Sequence, residues 1–320
     1  MGTQLAEGPL TKQFEEDFAK RFALPNAAAL NSGTAALEIA FDLAGVGPGD
    51  EVIVPVLSHP ASCLGIVRRG GKVVFADISD DLNVDIADVR KRITPKTKAI
   101  VFVHFGGNNR GLKEILELGV PVIEDAAQAV GSAYWGKAPW TAVSLQAIKQ
   151  LTSGDGGFLI CKSEADHERA KRLRWFGYDR AEKQKNGDSD ITEPGYKYHM
   201  NDISAAIGLG NLTSFDVVLR GRERARRAYE KAQLPIAVHP WLALLLHPKA
   251  VEVGEQLKKK EIPCGQHHQR MDKYSVFGGM RSDLPNMTRL EKAYLFLPYH
   301  HDLSDADVAT VTDAIRKALA

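Results

Sequence analysis

From Ala27 onward, short runs rich in Val and Ile alternate with stretches of helical periodicity, and this alternation limits the fold more than any other feature. "AAAL" gives way to a helix from about Thr34, with Leu37, Ala40, Phe41 and Ala44 on one face. "GDEVIVP", "KVVFADI", "KAIVFVHF" and "VPVIEDAA" read as strands, separated by the helical stretches "SHPASCLGIVRR", "DIADVRKRI" and "GLKEILEL". Ser58 is expected to cap the first of these helices, with Pro60 in its first turn. "AVSLQA" and "GFLICK" add two more strands. The pattern predicts the α/β class: a mainly parallel sheet with helices on both faces. In such sheets ligands bind beyond the carboxyl ends of the strands. Asn31, Ser32, Gly33, Thr34, His59, His104, Asp125 and Ser144 fall there, all polar or small, and they point to one shared site.

After Lys162 the texture changes. "EADHERAKRLRWFG" is a charged amphipathic helix, "YDRAEKQKNGDSDITEPGYKYHMND" a long polar loop, and "ISAAIGLGNL" opens a helix that continues, with a kink, through "FDVVLRGRERARRAYEKA". Weaker strands and helices follow, so a smaller C-terminal α+β domain is expected: residues 1–215 form the large domain and 216–320 the small one. A chain of 320 residues is long enough for both. Its net charge of +1 gives no field that favours nucleic acid or an anionic membrane. Three scattered cysteines make no disulfide framework and suit a reducing cytoplasm. Apolar runs such as "WLALLL" are too short to span a bilayer. The N-terminus lacks a basic-then-apolar targeting pattern, and Met1-Gly2 does not open a convincing acylation motif.

Four features carry chemistry. Lys149, in "SLQAIKQLTSGDGG", sits among Leu145, Ala147, Ile148 and Leu151, which all look buried. A buried amine is costly unless it is neutralised, paired or covalently used, and desolvation favours its nucleophilic form. The plainer reading is a surface lysine in a turn. Asp125 closes an apolar strand, where a carboxylate needs a cationic partner, such as a protonated pyridine nitrogen, or serves as a helix cap. "NSGTAAL" starts a helix with small residues, so its free N–H groups and dipole suit a phosphate; Gly33 permits close approach and Thr34 caps or donates. Ser144 offers a further hydroxyl to the same anion, or is an ordinary strand residue. The paired histidines at 267–268 and 300–301 lack metal-ligand spacing. "RGRERARRAYEK" mixes arginine with glutamate, as a solvated helix face does, so no nucleic-acid partner is expected.

Together these parts resemble the DegT/DnrJ/EryC1/StrS family of sugar aminotransferases. The resemblance runs through "LTKQFEEDFAKRF", "NSGTAAL", "GPGDEVIVP", "TPKTKAIVFVH", "VIEDAAQAVG", "SLQAIKQLTSGDGG", "RLRWFG", "PGYKYHMNDISAAIGLGNL" and "LPYHHDLSDADV", nearly the whole chain. It implies the aspartate-aminotransferase fold (fold type I), pyridoxal 5′-phosphate as cofactor, and no metal. By the same resemblance Lys149 is the Schiff-base lysine and Asp125 the partner of the pyridine nitrogen. Gln128 lies near the ring's phenolic oxygen, and Gly33, Thr34 and Ser144 contact the phosphate. His59 stands where relatives stack an aromatic residue on the ring. The implied reaction is ping-pong transfer of an amino group from glutamate to a nucleotide-linked keto-deoxysugar, for amino-sugar, polysaccharide or secondary-metabolite synthesis. Lys149 bonds the cofactor, then shuttles a proton as a base near neutrality. A homodimer with a shared site is implied too, with His199 or Asn201 reaching across to the partner. Arg174, Arg180, His267, His268, Arg270 and Lys273 are expected around the mouth, facing a diphosphate or only solvent.

The chain departs from the family in being short. A leading segment that helps to wall the site is expected to be missing, and Gln146 stands where many relatives have histidine. Two rivals share the scaffold: a sugar dehydratase, in which histidine replaces the lysine, and a non-catalytic cofactor-holding or regulatory relative. A nicotinamide-dependent oxidoreductase lacks a properly placed GxGxxG.

Overall fold

A computed structural model describes residues 6–320, so the Met1-Gly2 reading lies outside it. The chain runs through α1 (Pro9–Phe22), β1 (Asn26–Leu30), α2 (Gly33–Leu43), β2 (Glu51–Pro55), the two-residue β3 (Leu57–Ser58) and α3 (Ala61–Arg68). Then come β4 (Lys72–Ala76), α4 (Ile86–Arg92), β5 (Thr97–Val103), α5 (Leu112–Leu116), β6 (Val122–Asp125), β7 (Trp140–Ser144) and β8 (Gly157–Cys161). The seven long strands form one sheet in the order β1-β8-β7-β6-β5-β2-β4. All are parallel except β8, which runs against both of its neighbours. An antiparallel neighbour needs no crossover helix, which explains why only a loop joins β7 to β8. β5 to β8 are buried on both faces almost throughout, hence their near-continuous apolar sequences.

The helical signals near the site resolve locally. Ser32 caps α2, its Oγ accepting from the Ala35 N–H. Ser58 does not cap α3. It lies in β3, paired with Gln269 of β11 (Gln269–Arg270), and α3 begins only at Ala61. Strand pairing holds Ser58 extended, and His59 Nδ1 accepts the Ala61 N–H instead.

α6 (Glu164–Leu173) and the short α7 (Arg180–Asn186) follow, the latter inside the stretch expected to be loop. α8 (Asp202–Lys231) is one uninterrupted helix of 30 residues, so the expected kink is absent and position 215 lies within it. By length and composition α8 passes for a membrane span, with a mean hydropathy of 1.2 in its most apolar window. Its packing against α1 and α11 (Asp305–Leu319) accounts for part of that character. Its first turn is held by Asp202, whose carboxylate accepts from the N–H groups of Gly8, Leu10 and Thr11 and from the Thr11 hydroxyl. The C-terminal lobe is a three-stranded antiparallel sheet, β12-β10-β9, of β9 (Ile236–Val238), β10 (Ala243–Leu246) and β12 (Tyr294–Leu297). It packs with α9 (Ala250–Lys258), α11 and the end of α8 around Tyr229, Val253, Leu257, Val308 and Ile315. α10 (Pro285–Leu290) instead joins the core of the large sheet through Met287 and Leu290.

Candidate active site

β5, β6 and β7 end side by side, and beyond their carboxyl ends lies a cavity of about 640 Å³. Gly33, Thr34, His59, His104, Asp125, Gln128, Ser144 and Lys149 all line it. Asn31 does not; its side chain and N–H bond to the backbone of Lys197 and Tyr198.

Lys149 is placed by the loop from β7 to β8. The loop is closed by Leu145 N–H to Gly156 O, Ser153 N–H to Leu145 O and Thr152 Oγ1 to Leu145 O, at 2.9, 2.9 and 3.0 Å. Leu145 and Leu151 are buried and anchor it. Ala147 and Ile148 are not, contrary to expectation, and Ile148 is 67% exposed. Only the two ends of a closed loop can turn into the core, so its crest points outward. Lys149 Nζ lies 4.6 Å from the centroid of the Trp241 ring. Burial pushes the pKa of this amine down, and the Asp125 carboxylate opposes the shift in part. Of the two, burial favours the neutral, nucleophilic amine and the carboxylate favours the ammonium.

Asp125 is held on both oxygens. Oδ2 accepts from Ser62 Oγ at 2.6 Å and Oδ1 from the Ala127 N–H at 3.2 Å. Ser62, on α3, is fully buried. Two neutral donors keep the carboxylate in place without cancelling its charge, so it remains free to meet a cation in the cavity.

The start of α2 meets the end of β7 with almost no gap. A Cβ on Gly33 would lie 2.8 Å from Ser144 Cβ. One on Gly157 would lie 2.5 to 2.7 Å from backbone atoms of Val143, Ser32 and Gly33. These glycines bring the first-turn N–H groups of α2, which have no intrahelical acceptor, beside the Ser144 hydroxyl. The helix has 11 residues, and its positive end faces the cavity.

The opposite wall joins both lobes. Gln128 Oε1 accepts the Gly106 N–H at 2.6 Å, which leaves its Nε2 to donate to His268 Nε2 at 2.7 Å. His268 is therefore an acceptor there, and burial, aided by Lys149, pushes its pKa down to about 3. His59 meets His268 edge to face at 6.4 Å, and burial lowers its pKa too. Beneath this wall, burial would raise the pKa of Glu124, but His104 and the backbone N–H groups of Ala138 and Lys137 outweigh that and hold it low.

Sequence reasoning missed Ser62 and Trp241. Ser62 is a lone hydroxyl in "PASC", whose only signal is its place on a helix otherwise apolar on that side. Trp241 comes from the other lobe with no motif around it. None of the four cations expected at the mouth, Arg174, Arg180, Arg270 and Lys273, lines the cavity. Arg174 is buried against Glu7, Glu15 and the Ala29 carbonyl, and Arg270 is buried against Asp272. Arg180 also pairs with Glu7. His267 and His268 do line the cavity. Neither His199 nor Asn201 reaches the cavity of its own chain. His199 packs 3.9 Å from the Trp175 ring, and Asn201 caps α8 by accepting the Ser204 N–H.

These residues fit a phosphorylated pyridine aldehyde. They supply an amine of lowered pKa, a buried carboxylate and an anion-ready helix start around one space. Two buried polar atoms of the wall, Trp241 Nε1 and His104 Nδ1, have no partner among the described residues. No cluster of metal-binding side chains occurs among the described residues.

The chain is 32% identical to the spore coat polysaccharide biosynthesis protein SpsC of Bacillus subtilis, covering 98% of this chain and 90% of that protein. Its fold matches the sugar aminotransferase CalS13 of Micromonospora echinospora with a TM-score of 0.91, at 28% identity over 98% and 93% of the two chains. It also matches the PLP form of Spr1654 from Streptococcus pneumoniae with a TM-score of 0.88, at 25% identity over 100% and 94%. The family model of the DegT/DnrJ/EryC1/StrS aminotransferases matches residues 1–316. With that match spanning almost the whole chain, and a site of the kind described, the protein belongs to the DegT/DnrJ/EryC1/StrS aminotransferase family, a family of pyridoxal-phosphate-dependent sugar aminotransferases.

Proposed function

We propose that this aminotransferase takes its amino group from glutamate and delivers it to a nucleotide-linked keto-deoxysugar, in the synthesis of amino sugars for surface polysaccharides or secondary metabolites. The observation that carries the reading is Lys149, an amine of lowered pKa facing the same cavity as a fixed carboxylate and a helix start. When bound, pyridoxal phosphate supplies an electron sink for the bonds around the amino-bearing carbon. Gly33 and Thr34 offer backbone N–H groups, and Ser144 a hydroxyl, to its phosphate. Asp125, steadied by Ser62, holds a proton on the pyridine nitrogen. His59 and Gln128 bound the ring's space. Lys149 forms the covalent link and, once released, is the base that moves the proton, a role that the lowering of its pKa by burial favours. The wall of histidines and Trp241 borders that amine.

We assign the chain to a homodimer in the cytoplasm. Ile148, on the crest of the lysine loop, and Ile203 and Ile207, on α8, are 67%, 61% and 45% exposed. Gly154 of that loop approaches Ile207, so the apolar residues lie beside the site's mouth and suit a second copy. His199 and Asn201 lie nearby in sequence, and one of them serves the partner's cofactor. All three cysteines are free, as a reducing compartment requires. In this reading the lobes are residues 1–215 and 216–320, linked through α8; much of the second packs around its own core, while Leu242, Leu244, Met271, Met287 and Leu290 join that of the large sheet.

The test is a spectrum. Purified protein reconstituted with pyridoxal phosphate is expected to show a visible band that glutamate bleaches, and a keto-sugar nucleotide to restore it. If Lys149→Ala keeps the same band and the same response to glutamate, the reading is wrong.

A further inference from the structure

Trp241 lies between β9 and β10, in the other lobe from the lysine, yet its main chain is fixed to the cavity wall. Its N–H donates to the Gly106 carbonyl at 2.9 Å, and its carbonyl accepts from Arg222 Nη1 at 3.0 Å. Gly106 is fixed in turn. Its own N–H donates to Gln128, its φ is +67°, and a Cβ there would lie 2.8 Å from Leu242 Cγ. Arg222 is only 8% exposed and has no carboxylate partner among the described residues; its guanidinium instead lies 5.1 Å over the Tyr299 ring. Burying an unpaired cation is costly. Here it anchors the main chain of the residue whose indole ring centroid is 4.6 Å from Lys149 Nζ. The other groups facing the amine are Asp125 from β6, His59 from the turn before α3, and His268 from the segment before β11.

We infer that Trp241 is a positioning residue for Lys149, its indole face holding the ε-ammonium whenever that amine is not bonded to the cofactor. The inference rests on the reading of Lys149 as the cofactor lysine. An aromatic face favours the ammonium over the amine, whereas burial favours the amine. Trp241 thus limits how far burial lowers the pKa. It also keeps the released side chain beside the carbon it must deprotonate, rather than free to turn toward solvent.

The test uses full-length protein stripped of cofactor. The initial rate of pyridoxal phosphate capture, followed by visible absorbance between about pH 6 and 10, has a midpoint that reports the Lys149 amine, because only the neutral amine attacks the aldehyde. Trp241→Leu keeps apolar bulk and loses the aromatic face; Trp241→Phe keeps a weaker one. The midpoint is expected to fall by about 0.4 to 1.5 pH units in the Leu variant and by less in the Phe variant. Equal midpoints in all three proteins overturn the inference. So does an equal fall in both variants, since shape and not the aromatic face would then be responsible. If only the Phe variant folds, an unchanged midpoint in it, with unchanged quenching of tryptophan fluorescence on cofactor binding, is the overturning result. Failure of the underlying reading looks different: Lys149→Ala would then capture cofactor with the wild-type pH profile.

Discussion

Replacing Gly33 with alanine tests whether a fit between two backbones, and not a side chain, makes the proposed phosphate site. The added methyl would lie 2.8 Å from Ser144 Cβ and 3.1 Å from its Cα. Carbon atoms prefer at least about 3.5 Å, so the two segments must part by about 0.7 Å. β7 cannot yield, because it is paired with β6 on one side and with β8 on the other, where Ser144 faces Gly157. The displacement therefore falls on the first turn of α2. Overpacking of this kind costs about 1–3 kcal/mol of stability. It also draws the Gly33 and Thr34 N–H groups out of the narrow range in which they donate well, about 2.7–3.2 Å. Losing about 1.4 kcal/mol of anion binding weakens cofactor affinity tenfold. Urea unfolding of cofactor-free protein measures the first effect. Titration with pyridoxal phosphate, and separately with pyridoxal, measures the second, and the tenfold loss is expected for the phosphorylated compound alone. Gly210→Ala is the control. It lies on an exposed turn of α8 with nothing within 4 Å of the added carbon, and it is expected to be neutral or to add up to about 1 kcal/mol. Wild-type stability and wild-type affinity in Gly33→Ala would refute the argument.

Ser62→Ala removes a 2.6 Å hydrogen bond from a buried carboxylate and is expected to lower unfolding free energy by about 1.5–3 kcal/mol, measured in urea with and without cofactor. Glu124 has its pKa held below the ordinary carboxylate value, so the stability it contributes is present above that value and is lost as pH falls through the lowered one. Urea midpoints measured from about pH 6 down to about pH 3 should show a shallower acid-side decline in Glu124→Gln, from a lower starting point. If the proposed dimer forms, Ile203→Glu with Ile207→Glu is expected to dissociate it, seen by light scattering, and to reduce turnover while leaving each chain folded by circular dichroism.

The sheet was legible because its signal is local. Runs such as "KAIVFVHF" and "VPVIEDAA" must be buried on both faces, and they became β5 and β6. The helix start at Gly33 and the strand end at Asp125 were legible for the same reason, since capping and chain reversal involve only neighbouring residues. Ser58 misled because its partner, Gln269, is more than two hundred residues away, and strand pairing overrode a capping preference worth about 1 kcal/mol. Arg174 misled because charge alone does not say where a cation goes; Glu7 and Glu15 drew it inward. Ile148 misled because hydrophobicity does not tell a loop's anchor from its crest.

By itself the sequence determined the class of fold and the chemical types gathered at the strand ends, and it singled out the lysine to which the proposed chemistry is assigned. Each of these follows from the spacing and nature of neighbouring residues. Only the tertiary structure decided that Ser62 would steady Asp125, that His268 would accept from Gln128, and that a tryptophan from the other lobe would face the amine. Those contacts join residues far apart along the chain. Their energies depend on distances that only the packed lobes set.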